Sequence, residues 1–323
     1  MASGTEIVLT PGNVLRQVDA GELRERAWTA FSRRIAALQW SGVPDDWDPQ
    51  EFLDQIPHGA PLEEILAEGA PATVLSLHIE TLAGVLIDNP LHDNLDPQEV
   101  LLYHEEKYWD RASATLFQQP LDPDYRKTLV AVQRMTGAAD QKEADAAIRT
   151  AWAVYHGDDP MAPLLTPDMV RAQRRFLTTV YPPTGHAYWG GVGPDALTAR
   201  LINDVEAEGC GEPEDGTFIT QTLTHPRMSP AQRRHCLTIV GRCISSYPAL
   251  ATAASQAVAA NPNLLWDDAQ DLLEKLPGPT RDRWRNALAS AQRRHDEVTL
   301  SATQVVTDDE PDRPDLPVVD LNH

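Results

Sequence analysis

The chain has 323 residues, 42% of them hydrophobic, and a formal net charge of −21 at pH 7. That length supports a sizeable core in two or three domains, and a field of that sign repels phosphate backbones and anionic membrane surfaces. The three cysteines, Cys210, Cys236 and Cys243, are too few and too widely spaced for a disulfide framework and suit a reducing compartment. No basic-then-apolar leader and no run of about 18 apolar residues occurs. The expectation is a cytoplasmic protein with no membrane segment. Alanine and leucine are abundant and β-branched runs are short, which predicts a mainly α fold.

Near the N-terminus Glu6-Ile7-Val8-Leu9-Thr10 predicts one short strand, ended by Pro11-Gly12. A helix is expected from about Leu23 to Gln39, with Ala27, Phe31, Ile35 and Leu38 at three- and four-residue steps. Residues 72–87 are apolar nearly all round, the pattern of a buried helix, and Pro90 ends it. Asp96 is the expected N-cap of the next helix, with Pro97 at its first position and Glu99 three residues on, running to about Leu116.

Two amphipathic segments, from Tyr125 to Thr136 and from Lys142 to Val154, are separated by Gly137. Thr166-Pro167-Asp168 opens another helix, and Pro182-Pro183 stops it near Tyr181. A small hairpin is expected at residues 185–192, then a short helix from Pro194 to about Val205. The acidic, glycine-containing stretch 206–216 reads as a domain boundary. Five helices should follow between Phe218 and Asp296, punctuated by Pro226, Pro248, Pro262 and Pro277, with the rhythm of a stacked helical array. From Thr299 the chain turns acidic and proline-rich and reads as a disordered tail. The expected domains are therefore 1–95, 96–205 and 206–298, with the tail over 299–323.

No complete catalytic site is visible. The phosphate-binding string G-x-x-x-x-G-K-[ST] is absent, as are H-E-x-x-H and C-x-x-C. His104-Glu105-Glu106 cannot converge on a metal, because adjacent helical residues point about 100° apart; the two acids are expected on an exposed face. His78 is expected to be a hydrogen-bonded buried histidine. Cys236 and Cys243, two turns apart on one face, read as core. Gly190-Gly191-Val192-Gly193 reads as a turn. Arg233-Arg234 and Arg293-Arg294 read as solvated, salt-bridging faces. The cluster Arg171, Arg174 and Arg175 reads the same way, with a DNA-recognition helix as the sharper alternative. An unrecognised hydrolase built from dispersed acids and histidines has no support in the sequence.

Two segments are more specific. Leu101-Leu102-Tyr103-His104-Glu105-Glu106-Lys107-Tyr108-Trp109 resembles the L-L-x-H-E-x-x-Y-W signature of large actinobacterial signalling ATPases of the STAND class, relatives of NACHT and NB-ARC regulators. Tyr181-Pro182-Pro183, followed by Tyr188-Trp189-Gly190 and Pro194-Asp195, is similar to the L-Y-P-…-Y-W-G-x-L-x-P-D-x-L segment of the same proteins. Leu75-Ser76-Leu77-His78-Ile79-Glu80-Thr81-Leu82 looks like their lid helix.

The resemblance implies a helical lid segment, a winged-helix-like unit over 97–205, and the helices that precede the family's repeats. It places His104, Tyr108, Trp109, Tyr188, Trp189, Pro194 and Asp195 in structural signature positions, with the four aromatics in the core. The family's nucleotide-binding core is missing here, so ATP hydrolysis does not carry over. The implied role is regulatory: a module that contacts a protein partner, such as a separately encoded P-loop NTPase. Such a core would bring ATP or ADP near lid residues Pro71 and His78, the chain itself holding no cofactor. A winged-helix DNA-binding regulator using Arg171, Arg174 and Arg175 is the alternative.

Overall fold

A computed structural model of the chain describes residues 23, 25–31, 82, 96–157, 159–183, 187–190, 195–209 and 217–308. The expected strand near the N-terminus, most of the lid helix with Pro71 and His78, and Pro194 lie outside these residues. Among the described residues every regular element is a helix, so the mainly α expectation is met. The helices are α1 (Pro97–Leu116), α2 (Pro123–Thr136), α3 (Gln141–His156), α4 (Pro167–Val180), α5 (Asp195–Glu208), α6 (Phe218–Thr224), α7 (Pro230–Cys243), α8 (Ala249–Ala260), α9 (Pro262–Lys275) and α10 (Gly278–Asp308). A further helical segment covers 25–31 and buries Ala27 and Trp28.

Their starts follow local chemistry. The Asp96 carboxylate accepts from the Gln98 N–H at 2.8 Å, and Pro97 fills the first position of α1. Thr166 with Pro167 does the same for α4, and Ser229 with Pro230 for α7. At α7 the Ser229 hydroxyl accepts from the Gln232 N–H while the Gln232 side chain accepts from the Ser229 N–H, a reciprocal capping box.

The chain divides into two compact units, Met1–Lys127 with Val192–Leu201 and Thr128–Gly191 with Ile202–His323. Helices α2 and α5 each contribute residues to both. In the first unit α1 buries Val100, Leu101, Leu102 and Trp109. Its Asp110 pairs at 2.9 Å with Arg126, a guanidinium that is itself buried and also donates to the Leu121 carbonyl at 3.2 Å. The buried Ser113 hydroxyl accepts from the Leu121 N–H at 2.7 Å. Arg200 of α5 approaches Asp96 and Glu99 at 3.6 and 3.5 Å.

In the second unit α3 packs on α4 and α6, and α6 to α10 contact one another in sequence. Three of them also meet a helix further along: α6 meets α8, α7 meets α9 and α10, and α8 meets α10. That is the stacking expected for this region. Helix α8 buries Ala251, Ala253, Ala254 and Ala257, small residues that let its neighbours approach closely. Trp284 of α10 is fully buried and donates its indole N–H to the Ala269 carbonyl at 3.2 Å.

Helix α10 continues through Asp308, past the expected start of the tail at Thr299. No Pro or Gly occurs between Thr299 and Asp308 to stop it, the first being Pro311. The described part of the expected hairpin, 187–190, has no strand. It is held by single hydrogen bonds instead, from Tyr188 N–H to the Ala138 carbonyl and from Gly190 N–H to the Tyr181 carbonyl.

Candidate functional site

The signature aromatics divide into anchors and surface rings. Trp109 is wholly buried and Trp189 nearly so, whereas Tyr108 is 47% exposed and Tyr103 45% exposed. Tyr108 is thus not a core residue: Trp109, its neighbour on the same helix, points inward, and a residue about 100° away cannot follow it. Lys107 lies over the Tyr103 ring at 5.0 Å, and His104 meets that ring edge-on at 5.7 Å. Glu105 and Glu106 are half-buried rather than exposed, and Glu106 pairs with Lys127 at 3.4 Å. Tyr188 meets Trp189 edge-on at 5.5 Å. Asp195 opens α5.

The arginine clusters are partly spoken for. Arg174 is ion-paired with Asp145 of α3, Arg171 pairs with Asp168 at 3.1 Å, and Arg175 is exposed. Arg233 corrects the expectation of a solvated face. It is buried, and donates through Nε to the Leu223 carbonyl and through Nη2 to the His225 carbonyl, both at 3.2 Å. The end of α6 leaves these acceptors open, and the guanidinium fills them.

Signature and array meet at a cleft of about 490 Å³ in the second unit. Its walls come from the end of α2 (Gln133, Thr136), the Gly137–Ala139 turn, Glu143 of α3, the Trp189-Gly190 loop, and Gln232 and His235 of α7. Gly137 has φ +58, and a Cβ there would stand 3.2 Å from His235 Cδ2. Both the left-handed turn and the close ring select glycine. At Gly190 a Cβ would meet the Pro182 carbonyl oxygen at 2.8 Å, which brings the Tyr-Trp-Gly segment flat against the end of α4.

The polar groups of this cleft form a nearly closed network. Gln232 Nε2 donates to the Gly137 and Glu143 carbonyls at 3.2 and 3.1 Å. The Glu143 carboxylate accepts from the Ser229 hydroxyl at 2.6 Å and from the Ala139 N–H at 2.9 Å. Thr136 donates to the Val132 carbonyl at 2.8 Å, and Gln133 Nε2 to the Gly190 carbonyl at 2.7 Å. Two buried atoms remain without a partner, Gln133 Oε1 and Trp189 Nε1.

Several groups of the second unit are pushed toward their neutral forms. His235, an exposed residue lining the cleft, is held below the ordinary imidazole value by partial desolvation of its ring, then by the charges of Arg134 and Arg242. His225, 2.9 Å from the Thr150 hydroxyl, is lowered by burial and then by Arg227 and Arg233. Glu206 is pushed up by burial, although its carboxylate accepts from the Ile219 N–H at 2.9 Å and so caps α6. Cys236 and Cys243 are buried, as expected of core cysteines, and burial drives the Cys236 thiol far up, with Cys243 adding to the effect.

Among the described residues no group of His, Cys, Asp and Glu could hold a metal ion. No described helix is long and apolar enough to cross a membrane. The chain matches no family model, no curated protein and no solved structure.

Gln133, Gln232 and His235 were not candidates from sequence. The one local signal was Ser229-Pro230-Ala231-Gln232, a capping box that fixes where Gln232 stands. Nothing local ties it to Gly137 or Trp189.

Proposed function

We propose that this chain is a non-catalytic regulatory module that acts in the cytoplasm through protein–protein contacts, in the manner of the switch region of a STAND signalling ATPase. One observation carries the reading: within a single signature on α1, Trp109 is sunk into the core while Tyr103 and Tyr108 stand at the surface. An exposed tyrosine offers a rigid apolar face and a polar tip, and such rings are enriched at interfaces. The buried Trp109, next to Tyr108 in the chain, holds the helix that presents both rings.

The partner is a P-loop ATPase core, whose ADP-bound and ATP-bound forms contact the module differently. The nucleotide belongs to that partner. The winged-helix-like character of the first signature region and the lid role of residues 72–87 are parts of the same proposal. The DNA-binding alternative gains nothing from the ion pairs that occupy Arg171 and Arg174.

The test is a tagged pull-down from source cells with ADP or ATP present, using the native chain and Tyr103→Ala/Tyr108→Ala. A P-loop protein whose recovery changes several-fold with nucleotide, and is lost in the variant, is the expected result. Recovery of the chain alone, or of partners indifferent to both nucleotide and substitution, overturns the reading.

A further inference from the structure

We infer that a second cleft, between Lys142, Arg149 and Arg227, binds a small anion carrying two or three linked phosphates. It has a volume of about 620 Å³ and is lined by Gln141, Lys142, Asp145, Ala146, Arg149 and Arg227, all in the second unit. In a chain whose formal net charge is −21, these walls carry three cations and one carboxylate. That carboxylate, Asp145, is already ion-paired with Arg174 of α4. Among the described residues the side chains of Lys142, Arg149 and Arg227 form no ion pair and no hydrogen bond. Lys142 and Arg227 are exposed and Arg149 is half-buried, so all three are open to a ligand from solvent.

The fold fixes how these groups stand. Lys142, Ala146 and Arg149 recur at four- and three-residue steps on one face of α3, which sets the two cations two turns, or about 10 Å, apart along the axis. The opposite wall is the connection from α6 to α7, and it is tied to α3 at both ends. His225 Nδ1 lies 2.9 Å from the Thr150 hydroxyl, and the Ser229 hydroxyl donates to the Glu143 carboxylate at 2.6 Å. Arg227 stands midway between these ties. Its own N–H donates to His225 Nδ1 at 3.4 Å, and its neighbour Met228 is buried. The third cation is thereby held alongside the row made by the other two.

Three cations without carboxylate partners, spread over about 10 Å, ask for several negative charges in a short span. Glu143, the nearest other acid of the same helix turn, is turned to the Ser229 hydroxyl and the Ala139 N–H instead. One phosphate is too small to serve both ends of the row. Two or three linked phosphates cover a comparable length, and each guanidinium can take a pair of their oxygens in its planar fork. A long polyanion would run out of the cleft into the field of the −21 chain, which repels it, whereas a short one stays among the cations.

The probe is sodium tripolyphosphate, titrated by calorimetry into the full chain without divalent cations. One site per chain is expected, with affinity falling several-fold between about 50 and about 300 mM NaCl. Orthophosphate should bind about tenfold more weakly, having lost one or more charge-assisted contacts. Arg149→Gln/Arg227→Gln should weaken tripolyphosphate about tenfold or more, with near-native circular dichroism confirming the fold. Arg171→Gln/Arg175→Gln, which removes two arginines of α4 outside the cleft, should bind as the native chain does. No binding to the native chain, or equal binding of orthophosphate and tripolyphosphate, overturns the inference without recourse to any variant. Equal losses in the two double variants overturn it as well, because they assign binding to overall charge. Tighter binding of a hexaglutamate peptide or of a short single-stranded oligonucleotide overturns the ligand class and gives the cleft to an acidic protein segment or to nucleic acid. None of these results bears on the pull-down test of the α1 tyrosines.

Discussion

Arg233 ties two helices of the second unit together through the carbonyl of Leu223, which its Nε reaches at 3.2 Å while its Nη2 reaches the His225 carbonyl at the same distance. These carbonyls close the seven-residue helix α6, which is too short to persist in isolation. Arg233→Met keeps the length and apolar stem but removes both donors. It should cost about 2 kcal/mol in urea denaturation, by leaving one buried and one half-buried acceptor unserved. Lysine, a single point donor, should recover less than half of that loss.

Gly241 of α7 sets a second expectation. A Cβ there would stand 2.9 Å from Leu272 Cδ2 and 3.3 Å from Leu276 Cδ2, and both leucines are buried. Gly→Ala inside a helix ordinarily stabilises by roughly 1 kcal/mol, whereas overpacking costs roughly 1–3 kcal/mol. The clash should win, so Gly241→Ala destabilises by about 1 kcal/mol net. In a Leu272→Ala background the same substitution should become stabilising, because the added methyl enters vacated space. A double-mutant cycle by chemical denaturation reads this change of sign.

How far the sequence reached differs by feature. The starts of α1 and α4 were legible because each is written in adjacent residues, a capping side chain and then proline; α7 opens on the same pattern at Ser229-Pro230. The mainly α class and the consecutive helices of the array followed from the same local signals. Arg233 was misread beside Arg234 because the two look alike in sequence. Only the position of the α6 carbonyls makes one of them a buried clamp. Tyr108 was grouped with Trp109 as a signature pair, while the helix turns them apart. The cleft was illegible for a simpler reason: its walls come from α2, α3, α7 and a loop fifty or more residues from Gln133, and no short pattern spans them.

Ser229 carries two duties at once. Its hydroxyl caps α7 by accepting from the Gln232 N–H at 3.1 Å and donates to Glu143 at 2.6 Å. Ser229→Ala should cost about 2 kcal/mol, a lost cap plus a lost charge-assisted bond. Threonine should restore most of it. Glu143→Gln, which keeps an acceptor, should cost less than the alanine variant. Thermal melts of the three variants give this ranking.

Acid should weaken the fold through two histidines. The native pKa values of His225 and His235 lie below the ordinary 6.5, so the unfolded chain takes up these protons first as pH falls. Their contribution to stability is whole above about pH 6.5 and is lost as pH drops through the native values. Glu206 runs the other way. Its native value is raised above 4.5, so its contribution is whole below that pH and is lost as pH rises through the native value. Replacing both histidines with asparagine should flatten the decline in melting temperature between pH 7 and pH 5. An unchanged slope would assign the decline to other groups.

The two buried sulfurs of α7 give the array its own clock. A thiolate, not a thiol, attacks an alkylating reagent, and burial keeps Cys236 protonated far above neutral pH. While α7 stays seated, neither Cys236 nor Cys243 can be reached. With Cys210 replaced by serine, each molecule that reacts with a maleimide has opened at least once. The rate of labelling therefore counts openings of the stack under native conditions, at equilibrium and without denaturant.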